Sequence, residues 1–429
     1  MTELRRRISP FGGTALAVGM VVGSGVFGLP GLAVQVSSPQ IAAFGWLVCA
    51  VACSPLLCVF AILGTRYASA AGISRYAEAA LGRRAEYAVT AVLCGTFPLT
   101  VPVQSMIGAS YALVASGLDQ RALLPLAAMI LGIAVISNLC GVRTTAFVNT
   151  VSLGLIVTAV LALGAARPET VHAGILLWTH PDWSGMTLSQ IWKVSALLFW
   201  AFLGWENVSF GLEEFEEPQR TIKRVYFFSF VVVVVLYFFL AAAVNGAGDD
   251  LRVNTTEGIA RLVPSQWQTP FALVTLAVIQ ATANAWVFAA SRLFYSAGRN
   301  HLLPEIFAAL DKKGNPRNAV LLVAACFAIV LIATAALHLG VQHLVMLVDQ
   351  NFLVLYLVCI FACWKIGTRL QRWLLTPLAL LSCGFLLAGF SYTILYPLLL
   401  LAVGVMCQRS RARPGLINLA ENTMPPNTR

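Results

Sequence analysis

The residues best suited to binding a small charged molecule form a glycine-rich stretch near the start of the chain. It reads Gly23-Ser24-Gly25-Val26-Phe27-Gly28-Leu29-Pro30-Gly31. The stretch lies within an apolar segment over 11–36, where glycine and proline make a continuous helix unfavourable. Because lipid offers no hydrogen-bond partners, we predict a helix that stops and restarts beside a cavity. The freed N–H groups of Ser24, Gly25 and Val26 then suit a carboxylate, whereas the carbonyls just before them suit an ammonium group.

The same glycines match two simpler patterns. Gly23-x-Gly25-x-x-Gly28 has the spacing of a dinucleotide-binding fingerprint, but that motif needs a preceding strand and an acid about twenty residues on. The flanks here are apolar and no Asp or Glu occurs between Glu3 and Glu78, which excludes it. Gly19-x-x-x-Gly23 is a helix-packing motif. Packing does not explain a dense glycine run that ends in proline, so we favour the broken helix.

The composition assigns the chain to the membrane. Of its 429 residues, 59% are hydrophobic and 11% are charged, and the mean hydropathy is +0.81, whereas soluble domains carry about 25% charged residues. The apolar segments contain no Cys–His, Ser–His–Asp or paired-carboxylate arrangement, so we predict no enzymatic activity, no cofactor and no metal site. They also lack the continuous polar lining of a channel. We interpret the formal charge of +10 as membrane topology with some attraction to anionic lipid, and not as nucleic-acid binding.

Apolar segments of spanning length divide the chain into twelve predicted transmembrane helices. An even number places both termini on one side of the bilayer. With cytoplasmic N- and C-termini, most of the 28 lysines and arginines fall on the inner side, the positive-inside pattern of a cell (inner or plasma) membrane protein. The predicted spans are 11–36, 41–64, 86–116, 122–141, 145–166, 188–212, 224–246, 268–297, 318–338, 342–364, 373–390 and 392–408.

A second break is predicted in the sixth span. The run Trp200-Ala201-Phe202-Leu203-Gly204-Trp205-Glu206 places a glycine and an acid deep in an apolar segment, where a charge normally faces a cavity or a partner. Breaks five spans apart are typical of transporters built from two inverted repeats around a midplane site. We therefore predict an all-α fold in one domain over 1–408. It comprises five-helix repeats at 11–166 and 188–364, two further helices at 373–408 and a disordered tail at 409–429.

Three motifs resemble those of the amino acid–polyamine–organocation (APC) transporters. They are the Gly23–Gly31 stretch, the sixth-span run with the acidic segment Glu213–Arg220, and the segment Ser291–Pro304 that ends the eighth span. The similarity extends over nearly the whole chain. Within the family, the chain looks most like the bacterial exporters of methionine and branched-chain amino acids. The resemblance implies a LeuT-like fold that transports amino acids by alternating access, as a monomer or weak homodimer.

The resemblance also implies how a substrate is held. Ser24 and Gly25 would bind its carboxylate through backbone N–H and hydroxyl donors. The carbonyls of Val21, Trp200 and Leu203 would receive its α-ammonium group. The complete predicted substrate site is Val21, Gly23, Ser24, Gly25, Val26, Phe27, Trp200, Phe202, Leu203, Gly204 and Trp286.

The same resemblance implies which residues move during transport, and the chain differs from some family members at one position. Trp200 matches the family's gating aromatic, Trp286 matches an aromatic wall of the side-chain pocket, and Gly204 allows the sixth-span backbone to open. Some family members place a lysine in the fifth span in the role of a coupling cation. Ile156 stands where we align that lysine, so lysine-gated coupling is not expected here.

Two acids are candidates for gating or coupling. Glu206 is either a proton-linked gate or a carboxylate that satisfies N–H groups of the broken helix. Asp349 begins the tenth span, and we favour an interfacial acid in an outer vestibule over a proton carrier. Gln104 in the third span either lines the pocket or packs between helices, and we favour packing.

These residues predict a function. Aromatic and aliphatic side chains near the breaks, without a basic residue, favour a neutral apolar substrate. We predict a secondary active transporter, either an exporter or a proton-coupled antiporter, of amino acids such as methionine, leucine, isoleucine and valine, with H⁺ as the expected coupling ion. The alternative is a membrane amino acid sensor, or a subunit that needs a partner chain to transport.

Overall fold

Helices make up the fold of this protein, described here from a computed structural model. The described residues are 8–68, 72–140, 146–210, 212, 215–248, 250, 252–311, 315–390 and 392–407, so the predicted disordered tail lies outside them. Within these ranges, the only pairing of extended backbone is a parallel bridge between Ile8 and Phe215. The α-helices are α1 Pro10–Val21, α2 Ser24–Gln35, α3 Pro39–Arg66, α4 Gly72–Leu81, α5 Arg83–Ser116, α6 Leu123–Leu139, α7 Ala146–Ala166, α8 Pro168–Thr179, α9 Leu188–Leu198, α10 Trp205–Phe210, α11 Pro218–Asn245, α12 Gly258–Leu262, α13 Ser265–Arg299, α14 Arg317–Ala336, α15 Val341–Ile366, α16 Thr376–Leu387 and α17 Leu395–Cys407.

These helices form the twelve predicted spans. Helices α3, α5, α6, α11, α13, α14 and α15 are each long and apolar enough to cross a bilayer, α6 together with the short turn before it. The first span is α1 with α2, the fifth is α7, and the sixth is α9 with α10. The shorter apolar helices α16 and α17 complete the set, so the chain is a multi-pass membrane protein.

The first span breaks at the start of the glycine-rich stretch, as predicted. Helices α1 and α2 meet at an angle of 43° across Val22 and Gly23. Helix α2 restarts at Ser24, as predicted, and Pro30 and the glycines around it lie inside α2. Close packing accounts for part of that glycine run, because a Cβ at Gly31 would overlap the Thr255 carbonyl.

The sixth span breaks at the predicted place. Helix α9 ends at Leu198, and a 3₁₀ turn follows over Phe199–Phe202. Leu203 is extended, and Gly204 has φ +121°, a conformation that L side chains rarely adopt. Helix α10 then begins at Trp205. Both breaks therefore leave main-chain groups outside regular helical hydrogen bonding at the centre of the bundle.

Three helices lie outside the predicted spans. Helix α4 connects the second and third spans, and α8 lies at 94° to α7. Helix α12 packs on α2 with Ile259 and Leu262 buried, so it closes one end of the first span.

Candidate substrate site

A cavity lies between the two breaks. Its walls also include one face of α5 and one of α13. The cavity has room for the centres of one or two water molecules, about 20 Å³, so the surrounding side chains are close together in this conformation. The lining residues are Met20, Val21, Gly23, Ser24, Gly25, Thr100, Gln104, Trp200, Leu203, Thr282 and Trp286.

One end of the cavity presents the start of α2. Gly23 is the N-cap residue and supplies no side-chain hydrogen bond to the first turn. The N-terminal amides of a helix have no partners within it, and together with the helix dipole they favour an anion. A Cβ at Gly25 would lie 2.9 Å from Ala201 Cα and 3.1 Å from Trp200 Cδ1. Gly25 thus lets the two broken spans approach each other at the amides predicted to bind a carboxylate.

A tyrosine that sequence analysis missed joins the two breaks. The Tyr237 hydroxyl of α11 lies 3.2 Å from the Val21 carbonyl and 2.6 Å from the Ala201 carbonyl. A hydroxyl donates one hydrogen, so it alternates between two acceptors that belong to different spans. The sequence contained a signal for this role, because a tyrosine buried in an apolar span needs a hydrogen-bond partner. Tyr111 follows the same rule and donates to the Phe27 carbonyl at 2.9 Å.

Replacing Tyr237 by phenylalanine is expected to loosen the breaks. The change leaves two buried carbonyls without this donor, which costs about 1–3 kcal/mol and lowers the melting temperature in detergent by about 1–3 °C. Thermal unfolding of the purified protein measures the effect. Tyr295→Phe is the matched control, because the Tyr295 hydroxyl makes no hydrogen bond to another described residue. Equal melting temperatures for the two variants would show that the bridge carries no stability.

Glu206 holds the other end of the sixth-span break. The carboxylate is fully buried. Its Oε1 accepts from the Gly204 N–H at 2.9 Å, and its Oε2 accepts from the Tyr356 hydroxyl of α15 at 3.0 Å. Glu206 therefore satisfies an N–H group of the broken helix, as one of the two predicted roles requires. The arrangement is also compatible with proton binding, because no cationic side chain of the described residues contacts Glu206 to hold the carboxylate ionised.

The side-chain end of the cavity combines aromatic and polar groups. Trp286 packs against Phe97 and Phe352, with ring centroids 5.2 and 6.4 Å apart. Thr100 and Thr282 line the same space and satisfy their hydroxyls on carbonyls of their own helices. The remaining polar group is Gln104.

Gln104 was predicted to pack between helices, and that preference was wrong. It is 4% exposed and lines the cavity, and its Oε1 has no hydrogen-bond partner among the described residues. A buried amide oxygen at a cavity wall is available to a donor on a bound molecule. Its neighbours Pro102 and Gly108 in α5 do not indicate whether Gln104 lines the pocket or packs between helices.

Seven of the eleven predicted substrate residues line the cavity, and four do not. Phe27 is buried against Tyr111, with ring centroids 6.1 Å apart, and Val26 is buried in α2 away from the cavity. Phe202 packs against Trp46 and other aromatic rings. Helical geometry explains these positions, because neighbouring residues of one turn point in different directions and only some face the cavity. The lining residues among the eleven are Val21, Gly23, Ser24, Gly25, Trp200, Leu203 and Trp286, and the others are Val26, Phe27, Phe202 and Gly204.

Asp349 and Ile156 are both buried in the structure. Asp349 was expected to face an outer vestibule, but it is fully buried and its Oδ2 accepts from the Trp200 N–H at 3.1 Å. The vestibule interpretation was therefore wrong, because α15 turns this residue toward the broken span. Ile156 of α7 is 1% exposed and occupies the core with an apolar side chain. Glu213 and Glu214 of the acidic segment lie outside the described residues.

The lining of the cavity is neutral. None of its residues carries a charged side chain, so its electrostatics come from the main-chain dipoles of the two breaks. Amides of α2 and carbonyls beside Val21 and Trp200 present donors and acceptors to one space. Such an arrangement is complementary to a molecule with an anionic and a cationic end. The fold and the site together define a membrane transporter of the class built on two broken helices.

Comparison with known proteins identifies the family. A family model described as amino acid permease matches residues 8–406, and the chain belongs to this family. It is 25% identical to the uncharacterized amino acid permease YecA of Bacillus subtilis, over 96% of this chain and 97% of that protein. It is also 25% identical to the L-methionine/branched-chain amino acid exporter YjeH of Escherichia coli, over 94% of this chain and 96% of that protein. The predicted resemblance to APC transporters is thereby confirmed.

A solved structure supports the fold. The chain is similar to Mhp1, a nucleobase-cation-symport-1 family transporter, in a closed conformation with bromovinylhydantoin bound. The TM-score is 0.60 at 12% sequence identity, and the match covers 96% of this chain and 94% of that one. The LeuT-like fold with broken first and sixth spans is confirmed, and amino acid transport is the activity of the family.

Proposed function

We propose that this chain is a secondary active transporter of neutral amino acids with apolar side chains, such as methionine, leucine, isoleucine and valine. The observation that carries the proposal is the neutral cavity between the α2 amides and the carbonyls of the two breaks. The amides match a carboxylate and the carbonyls match an ammonium group. A side chain with a net charge finds no opposite charge in the lining, which disfavours arginine and glutamate.

The aromatic wall supports the apolar part of the proposal. Trp286, which packs against Phe97 and Phe352, gives the cavity an aromatic wall on which an aliphatic or thioether side chain packs. The Escherichia coli relative, an exporter of methionine and branched-chain amino acids, transports substrates of this kind. In our proposal, Trp200 and Leu203 close over the substrate from the sixth-span break, and Gly204 is the point about which that break moves.

Coupling and orientation complete the proposal. The chain works as an exporter or proton-coupled antiporter, with Glu206 as the proton-binding group that Gly204 and Tyr356 position. Both termini face the cytoplasm of an inner or plasma membrane, consistent with the distribution of basic residues. The chain acts alone, as a monomer or weak homodimer, and requires no cofactor. The rival is a sensor or partner-dependent subunit, which binds amino acids without transporting them.

Competition for uptake tests the proposed substrate class. Radiolabelled leucine is taken up by proteoliposomes that contain only this chain, and unlabelled amino acids compete. Methionine, isoleucine and valine are expected to compete at concentrations similar to leucine, and arginine, glutamate and putrescine are not. Leucinol, which lacks the carboxylate, is expected to compete at least about tenfold more weakly, since it forms no bond to the α2 amides. Equal competition by arginine or glutamate would contradict the proposed substrate class.

A further inference from the structure

The carboxylate of Asp349 has an unusual environment. It lies eight residues into α15, about 12 Å along the helix from its start, and it is fully buried. Its Oδ2 accepts from the Trp200 main-chain N–H at 3.1 Å. Its Oδ1 has no hydrogen-bond partner among the described residues. One hydrogen bond is much less than an ionised carboxylate receives in water.

The groups around Asp349 do not compensate a negative charge. The titratable side chains that face it are the thiols of Cys49 and Cys53 of α3. The thiol of Cys383 of α16 lies near the next turn of α15, where it donates to the Leu353 carbonyl. Helix α9 and its 3₁₀ turn contribute main-chain groups, and its one lysine, Lys193, is exposed. Among the described residues no charged side chain contacts Asp349. Low-dielectric surroundings without a cation favour the protonated carboxyl.

The position of Asp349 relates this proton to the movement of the gate. Trp200 lines the cavity, and its N–H belongs to the turn between α9 and the extended residues of the break. Tyr356 lies two turns along α15 from Asp349, on the same face, and donates to Glu206. Helix α15 therefore holds both ends of the broken segment, one through Asp349 and the other through Tyr356 and Glu206.

We propose that Asp349 is a second proton-binding site, separate from Glu206, and that it latches the sixth-span break to α15. With the latch closed, as seen here, the carboxyl is buried and neutral and holds the Trp200 amide. When the break moves away from α15, water reaches Asp349 and the proton leaves. Proton binding therefore favours the conformation in which Trp200 lies against the cavity, because a ligand shifts an equilibrium toward the state that binds it more tightly. The inference rests on the proposed transport function, but it assigns a residue that transport through Glu206 does not require.

Infrared spectroscopy of the purified full-length protein in lipid tests the protonation directly. At neutral pH, the wild type is expected to show a protonated-carboxyl C=O band that shifts in D₂O and disappears in Asp349→Asn. Asp349→Glu is expected to shift the band without removing it, which keeps the test informative if the asparagine variant folds poorly. Glu206→Gln is expected to retain the band, and Glu169→Gln removes an exposed carboxylate as a control. A spectrum unchanged by Asp349→Asn shows that the group is ionised and overturns the proposal.

Transport assays distinguish the role of the Asp349–Trp200 hydrogen bond from the role of the bound proton. Asparagine at 349 keeps an oxygen for the Trp200 N–H, so leucine exchange is expected to stay within about threefold of wild type, while accumulation driven by a pH gradient falls by about tenfold. Asp349→Ala removes the acceptor as well and is expected to slow both. Gradient-driven accumulation that equals that of the wild type in Asp349→Asn overturns the proposal. The infrared band is measured without substrate, so it tests the protonation of Asp349 even if a pH gradient does not drive transport by the wild type. That second result would contradict only the proposed coupling.

Discussion

Replacing Gly204 by alanine is expected to abolish transport. Gly204 has φ +121°, and a Cβ there would lie 2.7 Å from the Met20 carbonyl oxygen and 2.9 Å from Val21 Cα. Those neighbours are main-chain atoms of the first span, so they cannot rotate away. Unfavourable backbone geometry of about 1–3 kcal/mol adds to an overlap of about 1–3 kcal/mol. Together they are expected to reduce leucine exchange by about a hundredfold or more.

Gly132→Ala provides the control for this prediction. Gly132 lies in α6, and a Cβ there meets no atom within 4 Å. Alanine is also the better helix former, so stability and exchange are expected to match or slightly exceed those of the wild type. The measurement is leucine exchange by each variant, normalised to the amount of folded protein in the membrane. Wild-type exchange by Gly204→Ala would contradict the close approach of the two breaks.

Glu206→Gln is expected to separate transport from its driving force. The glutamine Oε1 still accepts from the Gly204 N–H, so the break keeps its shape, but the side chain no longer takes up a proton. Each proton that is exchanged for a substrate molecule supports about tenfold accumulation for each pH unit. The variant is expected to lose the contribution of the Glu206 proton, so that accumulation falls by about tenfold per pH unit while exchange against leucine continues. Radiolabelled leucine flux with and without a pH gradient measures both.

The neighbouring tyrosine supplies the control for Glu206. Tyr356→Phe removes the hydroxyl that donates to Glu206 Oε2 and keeps the ring contacts with Phe60 and Phe199. Gradient-driven accumulation is expected to persist in this variant with a changed pH dependence, since the proton-binding group is still present. If Glu206→Gln accumulates leucine as the wild type does, Glu206 is a structural carboxylate and the proposed coupling through it fails.

Sequence analysis predicted the spans and both breaks because their physical signals are local. Spanning helices are long apolar runs, and Gly204 with Glu206 stands out against such a background. The packing role of Gly31 was less predictable. The Thr255 carbonyl lies where a Cβ on Gly31 would be, and Thr255 is more than two hundred residues away in the chain.

The missed features of the site depend on which face of a helix meets which neighbour. Gln104 and Thr282 lie in spans that are apolar on several sides, so periodicity does not select the face toward the cavity. Asp349 lies near one end of α15, which suggested solvent contact, but the turn of the helix directs it at Trp200. Tyr237 bridges spans that are distant in sequence. Roles of this kind are defined by packing between spans, which one sequence does not specify.

Leucine flux in proteoliposomes that contain only this chain is the decisive measurement of transport by the chain itself. One set of vesicles receives an interior that is more acidic by about one pH unit, and another receives unlabelled leucine inside at equal pH. We expect labelled leucine to accumulate at least about tenfold in the first set and to exchange faster in the second, with methionine behaving alike. Absence of flux of either amino acid under both conditions, from protein that is folded and inserted, would contradict transport by this chain and favour the sensor or partner-dependent subunit.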